Sequence, residues 1–412
     1  MDVVYRRCCG IDVHKRSIAV CVSIWTDDGA IRKEKRMFGT TTRELRQAAD
    51  WLSKIAVTHI AMEATGVYWE PIWHVLEQRS GWQLLLVNAE HCKALRGKKT
   101  DLKDGERISD LLQHGLLSGS FVPPHDIRAL RDLTRHRVQL QQRRATIANR
   151  IQKLLEKGNI KLASVATDVL GVSGRAMLAR LAEGERDEQK LAELARRRLR
   201  GKRSELEAAL EGCLQEHQCF LLREMLTDLE QLEKSVARVQ DEIRKRMTQY
   251  EPILERLETI KGVSRVTAWS LVAELGVDMT QFPTADHVAS WAGVCPGNNQ
   301  SGGKRKSGKT RSGNRWLRRA LCEAAWAAAH SKNTYLSVQF KRLAIRRGGK
   351  RALMAVAHTI LRIAYHIIRS DKVYSDLGAD YFDQGRERQL TNRLVKRLEK
   401  LGHQVVLSPA GS

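Results

Sequence analysis

The sequence predicts an α/β domain at the N-terminus, followed by a long and mostly helical region. Three observations support this. Short apolar segments alternate with stretches of helical spacing over roughly the first 120 residues. Apolar residues then recur every three or four positions as far as residue 247, and a glycine-rich basic segment near residue 300 interrupts the helices that follow. We expect four parts: an α/β domain at 1–125, a helical region at 126–250, a third domain at 251–370 and a polar tail at 371–412.

The first domain opens with a hairpin and then alternates helix and strand. We predict the hairpin over Cys8–Trp25, with its turn at His14–Ser17, and a third strand over Ile31–Thr40. The later elements are helices at Thr42–Ile55, Tyr68–Arg79 and Leu102–His114, with strands at His59–Met62 and Gln83–Val87. Three antiparallel strands followed by this alternation is the order of the ribonuclease-H fold.

The helical region carries two apolar seams at heptad-like spacing. The first contains Leu130, Leu133, Arg137, Leu140, Arg144, Ile147, Ile151 and Leu154, and the second Leu222, Met225, Leu229, Leu232, Val236, Val239 and Ile243. The seams indicate either an antiparallel helical arm inside one subunit or a coiled coil that joins subunits. We favour the subunit contact, because an isolated long helix pair needs something to pack against.

The third domain contains a helix, a tight glycine turn and a second helix over Leu257–Leu275. The segment IKGVSRVTA resembles a helix-hairpin-helix, in which the backbone at Gly262 would contact a phosphate. A plain packing corner is the alternative. Further helices are predicted at His287–Trp291, Trp316–His330, Leu353–Ile368 and Thr391–Leu401.

The charge balance favours a polyanionic partner. The formal net charge is +24, with 71 Lys and Arg against 47 Asp and Glu. There is no uninterrupted apolar run of about 18 residues and no signal-peptide pattern, so we expect no membrane partner and a cytoplasmic location close to the nucleoid. The eight cysteines form no CxxC pair, which argues against structural zinc.

Four early carboxylates have a spacing suited to metal ions. Asp12 follows the first strand and Glu63 ends another, while Asp101 and Asp104 lie three residues apart on one side of a predicted helix start. Each has a simpler explanation on its own: a turn acid, a solvated strand end, or acids that favour the first turn of a helix. Glu106 and Asp110 are alternatives, but Asp104 fits the helical face better.

A ribonuclease-H-like sheet would gather these four acids at one place. Four carboxylates repel one another unless divalent cations lie between them, and two Mg²⁺ ions about 3.5–4 Å apart would suit cleavage of a phosphodiester. Mn²⁺ could replace Mg²⁺. The neighbouring cations Lys98, Lys99 and Lys103 would hold the nucleic-acid backbone beside the metals.

The segment NQSGGKRKSGKTRSGNRWLRR, residues 299–319, combines serines, glycines and cations before a helix. Ser301, Ser307 and Ser312 are candidate nucleophiles toward a phosphate, Ser301 above all. The candidate phosphate-binding cations are Lys304, Arg305, Lys306, Lys309, Arg311 and Arg315. A flexible basic arm without chemistry is the alternative, and Ser312 and Asn314 also suit the role of N-cap for the following helix.

Four motifs together resemble the one-ten family of insertion-sequence transposases, which are DEDD-type and bridge-RNA-guided. They are GIDVHK at 10–15, MEATGVYW at 62–69, KTDLKD at 99–104 and WAGVCPGNNQSGGKRKSGKTRSGNRWLRRAL at 291–321. The resemblance extends to about Ile368 and implies a RuvC-like domain, a coiled coil and a serine-bearing transposase domain.

The resemblance also implies the roles of these residues. Asp12, Glu63, Asp101 and Asp104 match the metal-binding tetrad, and Ser301 in QSGG matches the catalytic serine, which forms a covalent phosphoserine link to DNA. Members of the family use a structured RNA that pairs with donor and target DNA. They act as dimers that assemble into tetramers.

Two other functions compete with an RNA-guided recombinase. One is a metal-dependent junction nuclease of the same fold, in which water attacks and Ser301 only binds phosphate. The other is a non-catalytic protein that binds RNA or DNA.

Overall fold

The structure is a computed structural model that describes the backbone at residues 2–88, 101–297, 299–302, 304–308, 310, 312–382 and 387–407. Side chains are described for all of these except residues 101–102, 299–301, 304–307 and 387–390. The chain forms two compact units, Met1–Val122 and Pro123–Ser412.

The first unit is built on a five-stranded sheet. Its elements are β1 (Arg7–Val13), β2 (Ser17–Trp25), β3 (Ile31–Gly39), α1 (Thr42–Lys54), β4 (His59–Glu63), α2 (Trp69–Glu77), β5 (Gln83–Val87) and α3 (Asp101–Gln113). The strand order is β3-β2-β1-β4-β5. The first three strands pair antiparallel, whereas β4 pairs parallel with both β1 and β5.

Side chains of β1 alternate between two cores, one on each face of the sheet. Cys9, Ile11 and Val13 belong to the core that includes Leu52 of α1 and Ile72 of α2. On the opposite face, a smaller core contains Cys8, Ala61, Val87, Ile108 and Leu112, so α3 covers that side. Burial on both faces explains why the apolar residues Cys8–Ile11 of β1 form a continuous run rather than an alternating one.

The second unit is mostly helical. Its helices are α4 (His125–Lys157), α5 (Leu162–Val165), α6 (Val172–Glu183), α7 (Glu188–Glu193), α8 (Arg203–Leu210), α9 (Glu216–Met247), α10 (Glu251–Glu258), α11 (Arg265–Leu275), α12 (Ala285–Trp291), α13 (Arg315–Ala329), α14 (Tyr335–Arg347), α15 (Gly349–Ser370) and α16 (Glu387–Lys400). A short hairpin, β6 (Asn299–Ser301) and β7 (Lys304–Ser307), precedes α13. The sheet at the N-terminus and the helical remainder confirm the predicted mixture of α/β and α structure.

The two long helices α4 and α9 pack antiparallel within the chain. The hydroxyl of Tyr250, just after α9, donates to Asp126 at the start of α4. Midway along the pair, Leu140 packs with Leu232 and Val236. One of the arginines that interrupt the first seam, Arg144, donates from Nε to Glu233 Oε1 at 3.0 Å. The two predicted seams therefore meet each other over at least part of their length.

A separate core forms where α4 ends and α9 begins. The short helices α5–α8 fold over these two ends and bury a cluster that includes Leu155, Met177, Leu206 and Leu222. The less regular connection expected between the two seams is thus a small helical subassembly.

The last part of the unit packs around α15. Its buried face includes Val356, Ile360 and Tyr365, and the Tyr365 hydroxyl donates to the Phe282 carbonyl at 2.9 Å. The segment after α15 continues to pack, because Phe382 stacks on Tyr335 with ring centroids 5.0 Å apart. Among the described helices, none has the length and apolar character needed to cross a lipid bilayer.

Candidate functional site

Asp12 and Glu63 lie at the carboxyl ends of two adjacent parallel strands. Ile11 pairs with Met62, so the next position of β1 is Asp12 and the next position of β4 is Glu63. Because side chains alternate along a strand, Asp12 shares a face with Cys8, and Glu63 shares it with Ala61. That is the face covered by α3. The structure therefore brings these two predicted site residues together on one face.

A contact between two glycines sets the position of α3 on this face. A Cβ at Gly10 would clash with the Gly105 carbonyl and the Ser109 amide, and would lie 2.9 Å from the Ile108 carbonyl carbon. A Cβ at Gly105 would in turn lie 2.8 Å from the Ala19 carbonyl oxygen. The helix backbone thus rests directly on the strand, at a separation that only glycine allows on both sides.

The direction of α3 brings its first turn toward the acids. Cys8 Sγ lies 3.6 Å from the Ser109 carbonyl oxygen, and Gly10, two residues later, lies against the preceding turn, between Gly105 and Ser109. Two strand residues advance about 6.6 Å and four helix residues about 6 Å, so the level of Asp12 corresponds to the start of α3. Asp101 and Asp104 both belong to that first turn. The Asp104 side chain is half-buried, while that of Asp101 lies outside the described part.

His14 is a residue of this site that the sequence reasoning missed. Its Nε2 lies 3.0 Å from Asp12 Oδ2, and Asp12 is only 6% exposed. The imidazole fixes the direction of a buried carboxylate at the strand end. Its position two residues after Asp12, just past the end of β1, was the available signal, because the strand period returns it toward the same face.

Two carboxylates considered as alternatives to Asp104 have lysine partners instead. Lys33 Nζ lies 3.0 Å from Glu106 Oε1 and 2.7 Å from Asp110 Oδ1. Lys35 also pairs with Glu106. These lysines lower the pKa of Glu106, through hydrogen bonds from Lys35 first and Lys33 second. Both acids therefore serve to attach α3 to β3.

The sheet end provides two of the carboxylate ligands that a hard divalent cation would need. Asp12 and Glu63 supply carboxylate oxygens, the ligands that Mg²⁺ prefers. Within the described side chains no group of three or more His, Cys, Asp or Glu residues is arranged to hold a metal ion.

Ser301 is the last residue of the first strand in the small hairpin. It pairs with Lys304 across a turn in which Gly302 has a φ of +57° and open space around its Cα. The predicted loop is thus partly an ordered hairpin with the serine at its tip. Four cations predicted to bind phosphate lie on or beside it: Lys304, Arg305 and Lys306 belong to β7, and Arg315 begins α13.

The base of the hairpin is fixed by backbone contacts. Pro296 forms a bridge with Thr310, which closes the hairpin below β6 and β7. A Cβ at Gly313 would lie 2.6 Å from Gly293 Cα, so the two backbones pass in direct contact. Both ends of the serine-bearing segment are therefore held in place.

A buried glutamate anchors the helix that follows the hairpin. Glu274 of α11 is 1% exposed and accepts two hydrogen bonds of 2.8 Å from Arg135. It also lies 3.3 Å from Arg131 Nε and accepts from Asn314 Nδ2 at 2.6 Å. Burial lowers the pKa of Arg131 to about 10, and the Glu274 charge opposes that shift.

Asn314 links this network to the start of α13. Its Oδ1 accepts hydrogen bonds from the amides of Trp316 and Leu317 at 3.0 and 3.1 Å. Of the two predicted N-cap candidates, Ser312 and Asn314, it is therefore Asn314 that caps the helix. Sequence reasoning missed Glu274, because an acid inside an apolar helix carries no local sign of distant partners.

The other residues predicted to contact nucleic acid differ in their surroundings. Gly262 turns with a φ of +91°, and a Cβ there would lie 2.7 Å from the Ala328 amide of α13, so packing explains this glycine. Lys103 is exposed, and the Arg315 guanidinium lies 4.8 Å from the Trp316 ring centroid. Lys98, Lys99, Lys309 and Arg311 lie outside the described residues.

Two family models match this chain, and both describe transposases. A model for the DEDD transposase of IS110 elements matches residues 9–160, which contain all four acids. A second model, for transposases of the IS116/IS110/IS902 family, matches residues 254–341, which contain the serine hairpin. The matches therefore fall on the two regions described above.

Curated relatives agree with these models. A probable family 20 transposase of Pseudomonas aeruginosa is 24% identical over 341 residues, 81% of this chain and 90% of the relative. An uncharacterised protein of insertion element IS110 from Streptomyces coelicolor is 30% identical over 30% of each chain. A pilin gene-inverting protein of Moraxella bovis is 30% identical over 29% of this chain and 37% of the relative.

The fold, the two sites and these matches define an enzyme that moves DNA segments, a transposase or recombinase. The chain belongs to the IS110 family of insertion-sequence transposases.

Proposed function

We propose that this transposase is an RNA-guided DNA recombinase that cuts and rejoins strands through a covalent phosphoserine. The proposal is supported by two regions: Asp12 and Glu63 at the ends of adjacent strands, and Ser301 at the turn of a hairpin whose base is fixed. A non-catalytic scaffold would need neither.

In the proposed reaction, the Ser301 oxygen bonds to the phosphorus of a DNA phosphodiester, and one DNA oxygen leaves. The serine hydroxyl loses its proton, and the departing oxygen takes one up. The phosphoserine keeps the energy of the broken ester bond, so a second DNA hydroxyl can displace the serine and restore a continuous strand. Cations of β7 and its surroundings would stabilise charge on the phosphorus centre.

Asp12, Glu63, Asp101 and Asp104 would hold Mg²⁺ or Mn²⁺. When bound, the ions supply stabilisation of charge on the attacking and leaving oxygens. His14 orients Asp12 from the protein side, and the contact between Gly10 and Gly105 keeps the first turn of α3 next to the strand ends.

In this proposal the first unit is a RuvC-like domain, and the four parts of the chain keep the boundaries 1–125, 126–250, 251–370 and 371–412.

The partners in this proposal are donor DNA, target DNA and a structured guide RNA. The net charge of +24 supports binding of more than one polyanion.

We further propose that α4 and α9 contribute to contacts between subunits in a dimer that pairs into a tetramer, with acids and serine supplied by different copies. Sequencing of the RNA that copurifies with the protein tests the guide; recovery of only random fragments of cellular RNA would contradict it.

Ser301→Ala tests the serine directly. We expect it to abolish strand cleavage and the protein–DNA adduct that survives denaturation. Ser307→Ala and Ser312→Ala are matched controls from the same segment, and both should keep the adduct. If Ser301→Ala continued to nick DNA, water would be the nucleophile and the protein would act as a nuclease.

A further inference from the structure

A large basic groove lies beside the serine hairpin, and its role does not follow from the reaction alone. The groove has a volume of about 1330 Å³ and is walled by α13, α14 and α15. Gly308 and Thr310, which directly follow β7, form part of its rim. The groove is therefore continuous with the segment that carries Ser301.

The lining of the groove is strongly cationic. Its charged side chains are Arg318, Arg347, Lys350, Arg351 and Arg362, together with His358 and His366, and the described lining contains no acid. Among the described residues, Arg318, Arg347, Lys350 and Arg351 form no ion pair. Arg362 has only a long contact of 3.7 Å to Asp286, which is itself 72% exposed. Unpaired cations gathered in a concave surface favour the binding of an anion.

The start of α15 strengthens this preference for an anion. The helix begins after Gly348, which provides no side-chain cap, and its first turn holds Lys350 and Arg351 but no acid. Cations in the first turn of a helix oppose the helix dipole, and the first amides have no partner within the helix. A bound phosphate would satisfy the amides and both cations.

The length of the cationic face matches a stretch of backbone. The groove residues of α15 run from Lys350 to His366 on one side of the helix, which is about 24 Å at the rise of an α-helix. This length corresponds to roughly seven base-pair steps. The face can therefore contact several phosphates at once.

We infer that this groove holds the sugar-phosphate backbone of the DNA strand that flanks the phosphate attacked by Ser301. The inference rests on the proposed function, because the continuity with Gly308 and Thr310 selects DNA only if that serine attacks DNA. Arg318, Arg351 and Arg362 are positioning residues in this assignment: they place the strand and take no part in bond making.

The test is the salt dependence of DNA binding by the full chain. A short fluorescent DNA duplex of arbitrary sequence is the probe, and the variant is Arg351→Gln with Arg362→Gln, both exposed and on one face of α15. The logarithm of the binding constant falls linearly with the logarithm of the salt concentration, and each lost phosphate contact makes this slope less steep by about 0.9. For the double variant we expect a slope that is less steep by roughly two and, near 0.15 M salt, binding that is weaker by about 30-fold.

The matched control is Arg180→Gln with Lys190→Gln, which removes two exposed cations from the separate helical subassembly of α5–α8. It should leave both slope and affinity unchanged. An unchanged slope in the groove variant, or an equal loss in the control, would overturn the assignment.

An RNA hairpin of similar length provides the second arm. A loss for DNA that exceeds the loss for RNA supports the assignment, and a loss for RNA alone overturns it in favour of a guide-RNA site. The results also distinguish failure of the groove assignment from failure of the proposed function. An unchanged DNA slope together with loss of the adduct in Ser301→Ala overturns the groove only, and the reverse pair of results overturns the serine only.

Discussion

The acid end of the sheet and the base of the serine hairpin are fixed in different ways. At the sheet end, Gly10 and Gly105 let two backbones touch, and apolar cores on both faces hold the strands. At the hairpin base, a single buried carboxylate, Glu274, connects two arginines and the N-cap of α13. The sheet end depends mainly on close backbone packing, whereas the hairpin base adds a buried charge network to its own backbone contacts.

This difference predicts how each region tolerates change. Backbone packing fails when volume is added, because closely packed atoms cannot move apart cheaply. A buried polar network fails when one member is removed, because the remaining charges lose their partners and stay out of water. Substitutions can therefore disturb one region without the other.

The largest expected effect is on chemistry at the sheet end. Asp12→Asn keeps the shape of the side chain and removes the charge that would bind metal. We expect cleavage to slow by roughly a thousandfold, which corresponds to about 4 kcal/mol of lost charge stabilisation. The free energy of unfolding should change little, since Asn has the shape of Asp and keeps an oxygen that can face His14. Rates of strand cleavage and urea denaturation measure the two effects.

Asp27→Asn is the control, because Asp27 is an exposed acid in the turn between β2 and β3. It should leave the cleavage rate unchanged. A large loss of stability in Asp12→Asn, with little change in rate once folded, would show that the contact with His14 is structural and would contradict a metal role.

The second effect concerns the charge network. Glu274→Gln leaves Arg131 and Arg135 without a counter-charge, and we expect the free energy of unfolding of the second unit to fall by about 3 kcal/mol. Hydrogen exchange of the β6 and β7 amides should accelerate, while amides of β1 keep their protection. Glu183→Gln, in an exposed pair with Arg180, is the control and should cost less than about 1 kcal/mol. Equal losses in the two variants would sink the anchoring role.

The third effect concerns packing. Gly10→Ala adds a methyl group against the Gly105 carbonyl and the Ser109 amide, so α3 must move away from β1. We expect a loss of about 1–3 kcal/mol in the stability of the first unit, measured by urea denaturation. Gly201→Ala has open space around its Cα and should change stability by less than about 0.5 kcal/mol. A tolerated Gly10→Ala would mean that α3 is not seated on the strand.

Sequence reasoning predicted most of the first unit because its signals are local. Strands β1 and β5 contain short apolar runs, and helix α1 begins where Thr41 accepts a hydrogen bond from the Glu44 amide. The acids could be located because strand ends fall at defined places in such a sheet. The glycine contact was not predictable, since Gly10 and Gly105 lie far apart in the sequence and neither shows its partner.

The second unit was predicted less completely. Helix α14 is absent from the predicted elements, and its end is marked only by Gly348 and Gly349 within a strongly basic stretch. The hairpin β6–β7 carries no alternating apolar pattern, so its strands depend on backbone pairing and on anchors elsewhere, at Pro296 and Asn314. The assignment of Ser301 as nucleophile stays a prediction.

The smallest effect refines the account of how α3 is attached. Lys35 and Lys33 lower the pKa of Glu106, so the ionised carboxylate stabilises the folded state. A lowered pKa gives stability that is fully present above the ordinary value of 4.5 and is lost as pH falls through the folded value. Glu106→Gln should cost about 0.5–1 kcal/mol at pH 7, and the difference from the parent should shrink below pH 4.5.

The same variant tests whether Glu106 has any metal role. Since its carboxylate is already engaged by two lysines, Glu106→Gln should leave the Mg²⁺ concentration needed for half-maximal cleavage unchanged. A several-fold increase in that concentration would place Glu106 among the metal ligands and would weaken the choice of Asp104. Glu106 would then serve both the attachment of α3 and the chemistry at the sheet end.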